Sequence, residues 1–319
     1  MKILVIQNRM GIGDMVIFLP YIEAISKKFN TPISILVKES SKALEYLEKN
    51  KHIEKILILE RNNNNGHHDG LIGSFNLAND LKKYSFEKVF IFNSSLRFHL
   101  ICKMAGIKEI FQYPLFQKKE QHLIKTAQSF IKKELDIDVD SNPVINLENS
   151  LIENAKIDYN IGSNQINILM GIGGSGPTKR IPAYKFLNFM KLTIKEHDCK
   201  FFLATGTNKE EQNILNEILN SEFKERCIPL DKITIKETLP IIKNCNIAVC
   251  NDSSFSHLSA ALDVPTIVLL SDTPLMYGSY SPNMYPIIPD GEETVTHNTL
   301  GKERIDPEKI FKIFKEIIN

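Results

Sequence analysis

Residues 245–270 hold the densest group of side chains in this chain that could do chemistry. An apolar run of strand length, Ile247–Cys250, precedes the polar residues Asn251–Ser254, and helical spacing of apolar residues begins near His257. A strand that ends at small hydroxyl residues and opens a helix presents backbone N–H groups to an anion. The pattern therefore predicts a phosphate-binding turn at the carboxyl end of a parallel strand. A turn that serves packing alone is the alternative, although packing requires fewer polar residues.

A second polar group, Gly11-Ile12-Gly13-Asp14, follows a predicted first strand at Ile3–Ile6. A dinucleotide-binding fingerprint needs a further glycine where Val16 stands, so the pattern does not favour NAD binding. Asp14 could act as the N-cap of the following helix or as a general base. A positioned general base contributes roughly 10²–10⁴ in rate.

A third polar group, residues 171–182 (GIGGSGPTKRIP), is similar to a P-loop. Pro177 stands where the P-loop requires lysine, so the segment does not favour an ATPase. Lys179 and Arg180 bring positive charge to the start of a predicted helix. Cations are unfavourable at a helix amino terminus, which favours an anionic ligand at this loop over a merely exposed Lys-Arg pair.

Length and composition set the outer limits of these interpretations. The chain has 319 residues, enough for two ordinary domains, and its net charge of +1 gives no global attraction to nucleic acid. Five scattered cysteines without a C-x-x-C pair predict reduced thiols in a cytoplasmic protein. The apolar amino terminus is interrupted by Gln7–Arg9 and Asp14, so it predicts neither a signal peptide nor a membrane span.

The elements that must position these residues alternate as strand and helix in two series. The first series runs from Ile3 through a helix from about Asp14 to Lys28, to a strand near residues 89–92 and a basic helix at residues 124–135. The second restarts at Ile166 and includes a strand at residues 227–229 and a helix at residues 235–243. A last helix is predicted from about Asp306, its cap, to Ile318, with Pro307 at the first helical position. This rhythm predicts two doubly wound α/β domains, residues 1–155 and 156–319.

The three polar groups resemble the motifs of glycosyltransferase family 9, the lipopolysaccharide heptosyltransferases. Asp252–Leu262 is similar to D-[ST]-G-x-x-H-L-[AST]-A-A-L, Gly13–Pro20 to G-D-x-x-x-x-L-P, and residues 171–182 to G-x-x-x-x-x-K-x-W-P. The chain departs from the family at three positions. Ser254 and Ser271 stand where the family has glycine, and Ile181 replaces the commoner tryptophan.

The resemblance implies two Rossmann-like domains facing a cleft, the GT-B type. Residues 1–155 would bind the acceptor and residues 156–319 the nucleotide sugar, and the last helix would pack back on the first domain. Departures at Ser254 and Ser271 leave the donor sugar open.

The resemblance also implies a role for each motif residue. Asp14 would deprotonate the acceptor hydroxyl and Lys179 would contact the donor phosphate as the second catalytic residue. Glu210 or Glu211 would bind a ribose hydroxyl, with a solvated helix face as the alternative. The expected donor-binding residues are Gly173, Gly174, Thr178, Lys179, Glu210, Ile233, Asp252, Ser253, Ser254, Phe255 and His257. Gly13 and Arg9 would contribute to acceptor binding.

The function so implied is inverting, metal-independent sugar transfer in lipopolysaccharide biosynthesis. The donor would be a nucleoside diphosphate sugar such as ADP-heptose, the acceptor a lipopolysaccharide core or other saccharide, with no cofactor. The resemblance further implies a cytoplasmic location with peripheral contact at the inner membrane. A non-catalytic nucleotide-sugar-binding protein and a nucleotide-sugar epimerase are the alternatives.

Two remaining clusters have plainer interpretations. His67-His68-Asp69 lies in an asparagine-rich segment, where a solvated loop is favoured over a metal site. The basic stretch Lys118–Lys133 could meet an anionic acceptor, with a solvated helix face as the equal alternative.

Overall fold

A computed structural model describes residues 1–61, 66–115 and 122–319. The chain divides into two compact units, Met1–Pro143 and Val144–Asn319. The boundary expected between residues 155 and 156 would fall inside the helix Asn149–Asp158. That helix packs against the helix Ile235–Lys243, so tertiary contacts assign it to the second unit and the true boundary lies earlier.

The described residues of the first unit form a parallel five-stranded sheet of order β3-β2-β1-β4-β5. In chain order the elements are β1 (Ile3–Ile6), α1 (Ile12–Phe29), β2 (Ile33–Lys38), α2 (Ala43–Tyr46), β3 (Ile53–Leu59), α3 (Gly70–Lys82), β4 (Lys88–Ile91), α4 (Leu96–Met104), β5 (Glu109–Gln112) and α5 (Leu123–Leu135). Every residue of the central strand β1 is buried, as expected where helices cover both faces of a parallel sheet.

Helix α1 begins immediately after the turn that links it to β1. Gly11 is its N-cap and has φ of 99°, a conformation that glycine adopts without the steric cost of a Cβ. The expected boundary near Asp14 is therefore two residues late, because Ile12 and Gly13 are already helical. The helix ends at Asn30, which adopts the left-handed conformation common at helix carboxyl ends.

The second unit, described throughout, holds a parallel six-stranded sheet of order β11-β10-β9-β6-β7-β8. Its elements in chain order are α6 (Asn149–Asp158), β6 (Ile166–Gly171), α7 (Ala183–Glu196), β7 (Cys199–Ala204), α8 (Lys209–Leu219), β8 (Cys227–Pro229), α9 (Ile235–Lys243), β9 (Ile247–Asn251), α10 (Ser254–Ala261), β10 (Thr266–Leu269), β11 (Met284–Ile287) and α11 (Pro307–Ile318). The strand order reverses between β6 and β9, and open α/β sheets bind ligands at the carboxyl end of such a reversal.

The carboxyl-terminal helix α11 closes one face of this second sheet. Asp306 caps it by accepting the Glu308 N–H at 2.9 Å, and Pro307 occupies the first helical position, as the sequence predicts. The helix packs against α7, β10 and β11, all within the second unit.

None of the helices in the described ranges combines the length and the apolar character that a membrane span requires.

Candidate donor site in the second unit

The polar turn after β9 lies where the strand order reverses, as the sequence predicts. Ser253 is the N-cap of α10, but its hydroxyl makes no capping hydrogen bond and is buried without a partner among the described residues. Ser254 begins the helix in ordinary helical conformation, so the loss of the family glycine causes no backbone strain. The amino end of α10 therefore keeps polar groups available for a ligand.

Lys179 reaches this turn from the glycine-rich loop after β6. Its Nζ donates to Asp252 Oδ2 at 2.6 Å, and the side chains of Lys179 and Asp252 are 24% and 5% exposed. Burial alone would raise the pKa of the Asp252 carboxyl, but His257 and Lys179 outweigh it and hold that pKa below its usual range. Asp252 is therefore an anion that forms an ion pair with Lys179, whereas the sequence analysis expected both residues to contact the donor.

His257 completes the surroundings of the Asp252 carboxylate. Its Nε2 lies 3.8 Å from Asp252 Oδ1, and its Nδ1 lies 2.8 Å from the Tyr280 hydroxyl. The rings of His257 and Tyr280 are stacked, with centroids 5.7 Å apart. Lys179, Asp252, His257 and Tyr280 are thus successive polar neighbours, which we call the Lys179–Tyr280 chain.

The glycine-rich loop rests on a buried carboxylate. The Gly174 N–H donates to Glu211 Oε1 at 2.6 Å, and a Cβ at Gly173 would lie 2.5 Å from the same oxygen. Only glycine at position 173 lets the backbone approach this closely. Glu211 is 6% exposed, whereas the Glu210 side chain is 68% exposed and pairs with Arg180. Of the two acids that the sequence left open, Glu211 supports the loop and Glu210 lies on the surface.

Further hydrogen bonds hold the same loop at several points. Arg180 Nε donates to Gly174 O at 2.8 Å, and Asn251 Nδ2 donates to Ile172 O at 2.8 Å. The Ser271 hydroxyl donates to Thr178 O at 2.8 Å. Glycine, which the family has at this last position, carries no hydroxyl, so Ser271 adds a contact next to Lys179.

Several buried side-chain oxygen atoms at this sheet edge lack hydrogen-bond partners among the described residues. The buried atoms concerned are Thr205 Oγ1, Asn251 Oδ1, Ser253 Oγ and Thr273 Oγ1, which follow or end β7, β9 and β10. An unsatisfied buried polar atom costs about 1–3 kcal/mol, so a cluster of them favours a polar ligand at this edge.

The remaining predicted donor residues differ in burial. Phe255, in the first turn of α10, is 9% exposed, and its side chain is among the buried apolar residues of the core. Ile233 is half-buried in the segment between β8 and α9, where an apolar contact to a planar group is possible.

In the first unit, Asp14 lies in the first turn of α1, where its charge is favourable to the helix dipole. Arg9 Nε donates to Asp14 Oδ1 at 3.0 Å, and the two side chains are 44% and 19% exposed, respectively. The N-cap alternative for Asp14 is wrong because Gly11 caps this helix. Gly13 lies beside Asp14 in the same turn.

The histidine pair before α3 is joined by Asp80 rather than by Asp69. His67 Nε2 and His68 Nε2 lie 3.1 and 3.2 Å from Asp80 Oδ2, and Asp69 pairs instead with Arg61. The Glu60 N–H donates to His68 Nδ1 at 2.9 Å, so the neutral ring carries its proton on Nε2, toward Asp80. A metal would need that nitrogen's lone pair. The donor set therefore favours hydrogen bonds that tie the segment before α3 to the last turn of that helix. Residues 118–121 of the predicted basic stretch lie outside the described residues.

The two parallel-sheet α/β units confirm the predicted fold class, and solved GT-B structures share it. The glycosyl transferase family 9 protein of Veillonella parvula superposes with a TM-score of 0.79 at 17% identity, covering 99% of this chain and 96% of that one. An Escherichia coli heptosyltransferase solved with ADP superposes with a TM-score of 0.72 at 13% identity, covering 99% and 100%.

The family model "Glycosyltransferase family 9 (heptosyltransferase)" matches residues 77–298. The chain therefore belongs to glycosyltransferase family 9. It is 30% identical over 161 residues to lipopolysaccharide heptosyltransferase 1 of Campylobacter coli. That alignment covers 48% of this chain and 47% of the relative, so this chain spans about half the length of the curated relative it matches.

Proposed function

We propose that the protein is a glycosyltransferase that moves a sugar from a nucleoside diphosphate donor to a saccharide acceptor. The observation that carries this proposal is the ammonium group of Lys179, held by Asp252 beside the amino end of α10. An ammonium and helix-terminal N–H groups at one sheet edge can stabilise the charge of a departing diphosphate.

The proposed chemistry is a single displacement with inversion. Asp14 accepts the proton of the acceptor hydroxyl while that oxygen attacks the anomeric carbon opposite the diphosphate. The bond from the anomeric carbon to the diphosphate oxygen breaks, and its electron pair stays with the diphosphate. Lys179 and the α10 amino end stabilise this new charge, so the proposal needs neither metal nor cofactor.

We infer an ADP-linked sugar, with heptose first among candidates, as the donor and a lipopolysaccharide-core saccharide as the acceptor. The names of the curated relatives and the ADP in the E. coli structure support this inference. The half-buried Ile233 provides an apolar contact for the base, and such a contact accepts several bases. The assignment of adenine therefore depends on the binding experiment below.

We also propose that the protein acts in the cytoplasm and contacts an anionic lipid surface through helix α3. Leu71, Ile72 and Phe75 are 84%, 77% and 60% exposed on its outer side. Lys82 lies on the same side two turns after Phe75 and is also exposed. Exposed apolar side chains beside lysine are typical of helices that lie in the headgroup region of anionic membranes.

Vesicle co-sedimentation tests this lipid contact. The triple variant Leu71→Ser/Ile72→Ser/Phe75→Ser should lose binding to vesicles that contain phosphatidylglycerol. The control Leu300→Ser, at a residue 63% exposed in the second unit, should bind like the wild type. Equal sedimentation of triple variant and wild type would exclude α3 as the contact.

A thermal-shift screen of ADP-, GDP-, UDP- and dTDP-sugars tests the transferase proposal. A ligand at 100 times its dissociation constant adds about 2.7 kcal/mol of apparent stability. One nucleotide class should raise the melting temperature without added magnesium, and Lys179→Ala should reduce the shift at the same ligand concentration. No shift with any nucleotide would contradict the proposal. Binding without release of nucleoside diphosphate to any saccharide acceptor would favour a non-catalytic binding protein.

A further inference from the structure

Tyr280 lies outside all three sequence motifs, yet its hydroxyl belongs to the Lys179–Tyr280 chain. It is 7% exposed and belongs to the segment between β10 and β11. We propose that Tyr280 is a positioning residue for donor binding, which acts on Lys179 through His257 and Asp252. This inference rests on the proposed function, since it assigns the diphosphate as the group that Lys179 meets.

The first step of the argument is the proton on His257. Its Nε2 faces the Asp252 carboxylate, which at neutral pH can only accept hydrogen bonds. A hydrogen on Nε2 is the arrangement that attracts this carboxylate across 3.8 Å, and in the neutral ring Nδ1 is then an acceptor. The Tyr280 hydroxyl lies 2.8 Å from that Nδ1, where it can donate a hydrogen bond and so select the tautomer that attracts Asp252.

The second step concerns the ammonium of Lys179. The ammonium donates one of its three hydrogens to Asp252 Oδ2 at 2.6 Å. The described residues offer no acceptor at hydrogen-bond distance for the other two hydrogens, which can therefore bind an anion. Asp252 is almost fully buried, so its charge must be matched by nearby donors. Lys179 donates to one carboxylate oxygen, and His257 Nε2 lies 3.8 Å from the other, so the position of Asp252 between them sets the direction of the lysine side chain.

The third step is the consequence of losing the Tyr280 hydroxyl. Without a donor at Nδ1, the neutral His257 ring can move its proton to Nδ1 and turn a lone pair toward Asp252. Repulsion between that lone pair and the carboxylate would move Asp252, and Lys179 would follow it. Tyr280→Phe isolates this effect because phenylalanine keeps the stacked ring and the buried volume.

The first experiment reads the tautomer without any ligand. In protein with ¹⁵N-labelled histidine, Tyr280→Phe should shift the Nδ1 resonance of His257, which His257→Gln identifies by its disappearance. Tyr184→Phe is the matched control, because its hydroxyl donates to Glu303 at 2.7 Å elsewhere in the same unit. An unchanged His257 spectrum in Tyr280→Phe would overturn the proposal.

The second experiment measures coupling to Lys179 by calorimetric titration with ADP. Tyr280→Phe should weaken ADP binding about fivefold, the effect of one hydrogen bond, while Tyr184→Phe leaves it unchanged. In a Lys179→Ala background, Tyr280→Phe should have no further effect, because the group it positions is gone. Equal fivefold losses in both backgrounds would overturn the positioning role.

The two arms separate the inference from the proposed function. If the wild-type protein binds none of the four nucleotides, the transferase proposal is contradicted, whatever the histidine spectrum shows. Wild-type protein that binds ADP while Tyr280→Phe binds it equally well leaves the transferase proposal standing and excludes Tyr280.

Discussion

The proposed base in the first unit and the proposed donor site in the second unit are held in different ways. Asp14 forms an ion pair with Arg9, whose side chain is 44% exposed. Lys179 belongs to a largely buried chain that includes Tyr280, and neighbouring residues of its loop are hydrogen-bonded to Glu211, Asn251 and Ser271. The residues of the donor side thus hold one another in place, whereas the proposed base is positioned by its helix and by its ion pair with Arg9.

The difference teaches how each task constrains its residues. Stabilising a diphosphate requires fixed charges, because a charge that must reorient during the reaction loses its advantage. A general base requires reach and access to its substrate, so it tolerates a more open setting. Mutations at the two sites should therefore separate turnover from binding.

The largest effect should come from Asp14→Asn. The amide cannot accept the acceptor's proton, so kcat should fall at least about 100-fold while nucleotide affinity stays nearly unchanged. Initial rates of nucleoside diphosphate release measure this effect. Glu23→Gln, a carboxylate-to-amide change on the same helix, should retain wild-type kcat. Near-normal turnover in Asp14→Asn would contradict the role of base.

Lys179→Ala should weaken nucleotide binding, in contrast to Asp14→Asn, which should lower turnover. Removing a charged hydrogen-bond donor should weaken nucleoside diphosphate affinity roughly 10- to 100-fold. Titration calorimetry with the nucleotide found in the screen measures it, with Lys185→Ala as a control beyond the loop. Unchanged affinity would show that Lys179 does not bind the donor. The expected difference between a binding effect in the second unit and a turnover effect in the first would then be wrong.

Asp252→Asn should lower stability in a pH-dependent way. The folded pKa of this carboxyl is depressed, so its contribution is present above the unfolded pKa of about 3.9 and is lost as pH falls through the folded value. The variant should be about 2 kcal/mol less stable at pH 7, since a charged hydrogen-bond pair is lost.

Thermal melting at several pH values tests this sign. The gap between wild type and Asp252→Asn should persist at pH 5 and shrink toward pH 3. A gap that instead widened on acidification would show that the folded pKa of Asp252 is raised.

The smallest effect should follow Ser271→Gly, which restores the family residue. Loss of the hydrogen bond to Thr178 O should weaken nucleotide affinity about fivefold by loosening the loop that carries Lys179. Ser279→Gly also removes a hydroxyl bonded to a backbone carbonyl, that of Leu275, and should leave affinity unchanged. Equal affinities for both variants would show that the loop does not need this contact.

The regular elements were the most predictable part of the molecule. The helix Ile235–Lys243 and the strand Cys227–Pro229 have the predicted bounds, because apolar periodicity and capping residues are local signals. Three elements were missed. Helix α6 buries only Ala155 and so lacks an apolar stripe, and the edge strand β11 contains Pro286, which argues against a strand. The short helix α4 was not recognised either.

The candidate site was predictable in its location but not in its pairings. Glycines, hydroxyls and a lysine after separate strands must meet, because parallel strands present their carboxyl ends at one edge. The choice between Glu210 and Glu211 was open, since one position on a helix decides which carboxylate turns inward. A capping residue, Asn208, was a local signal that α8 begins there and turns Glu211 toward the loop.

The sequence by itself determined the class of fold, the family and the sheet edge at which an anion can bind. Those conclusions rest on periodicity and on short motifs, which can be recognised without knowing which distant residues are in contact. Only the tertiary structure decided that Asp252 holds Lys179 and that Tyr280 orients His257. These partners are 73 and 23 residues apart, and their contact depends on strand register and loop path, which no local pattern encodes.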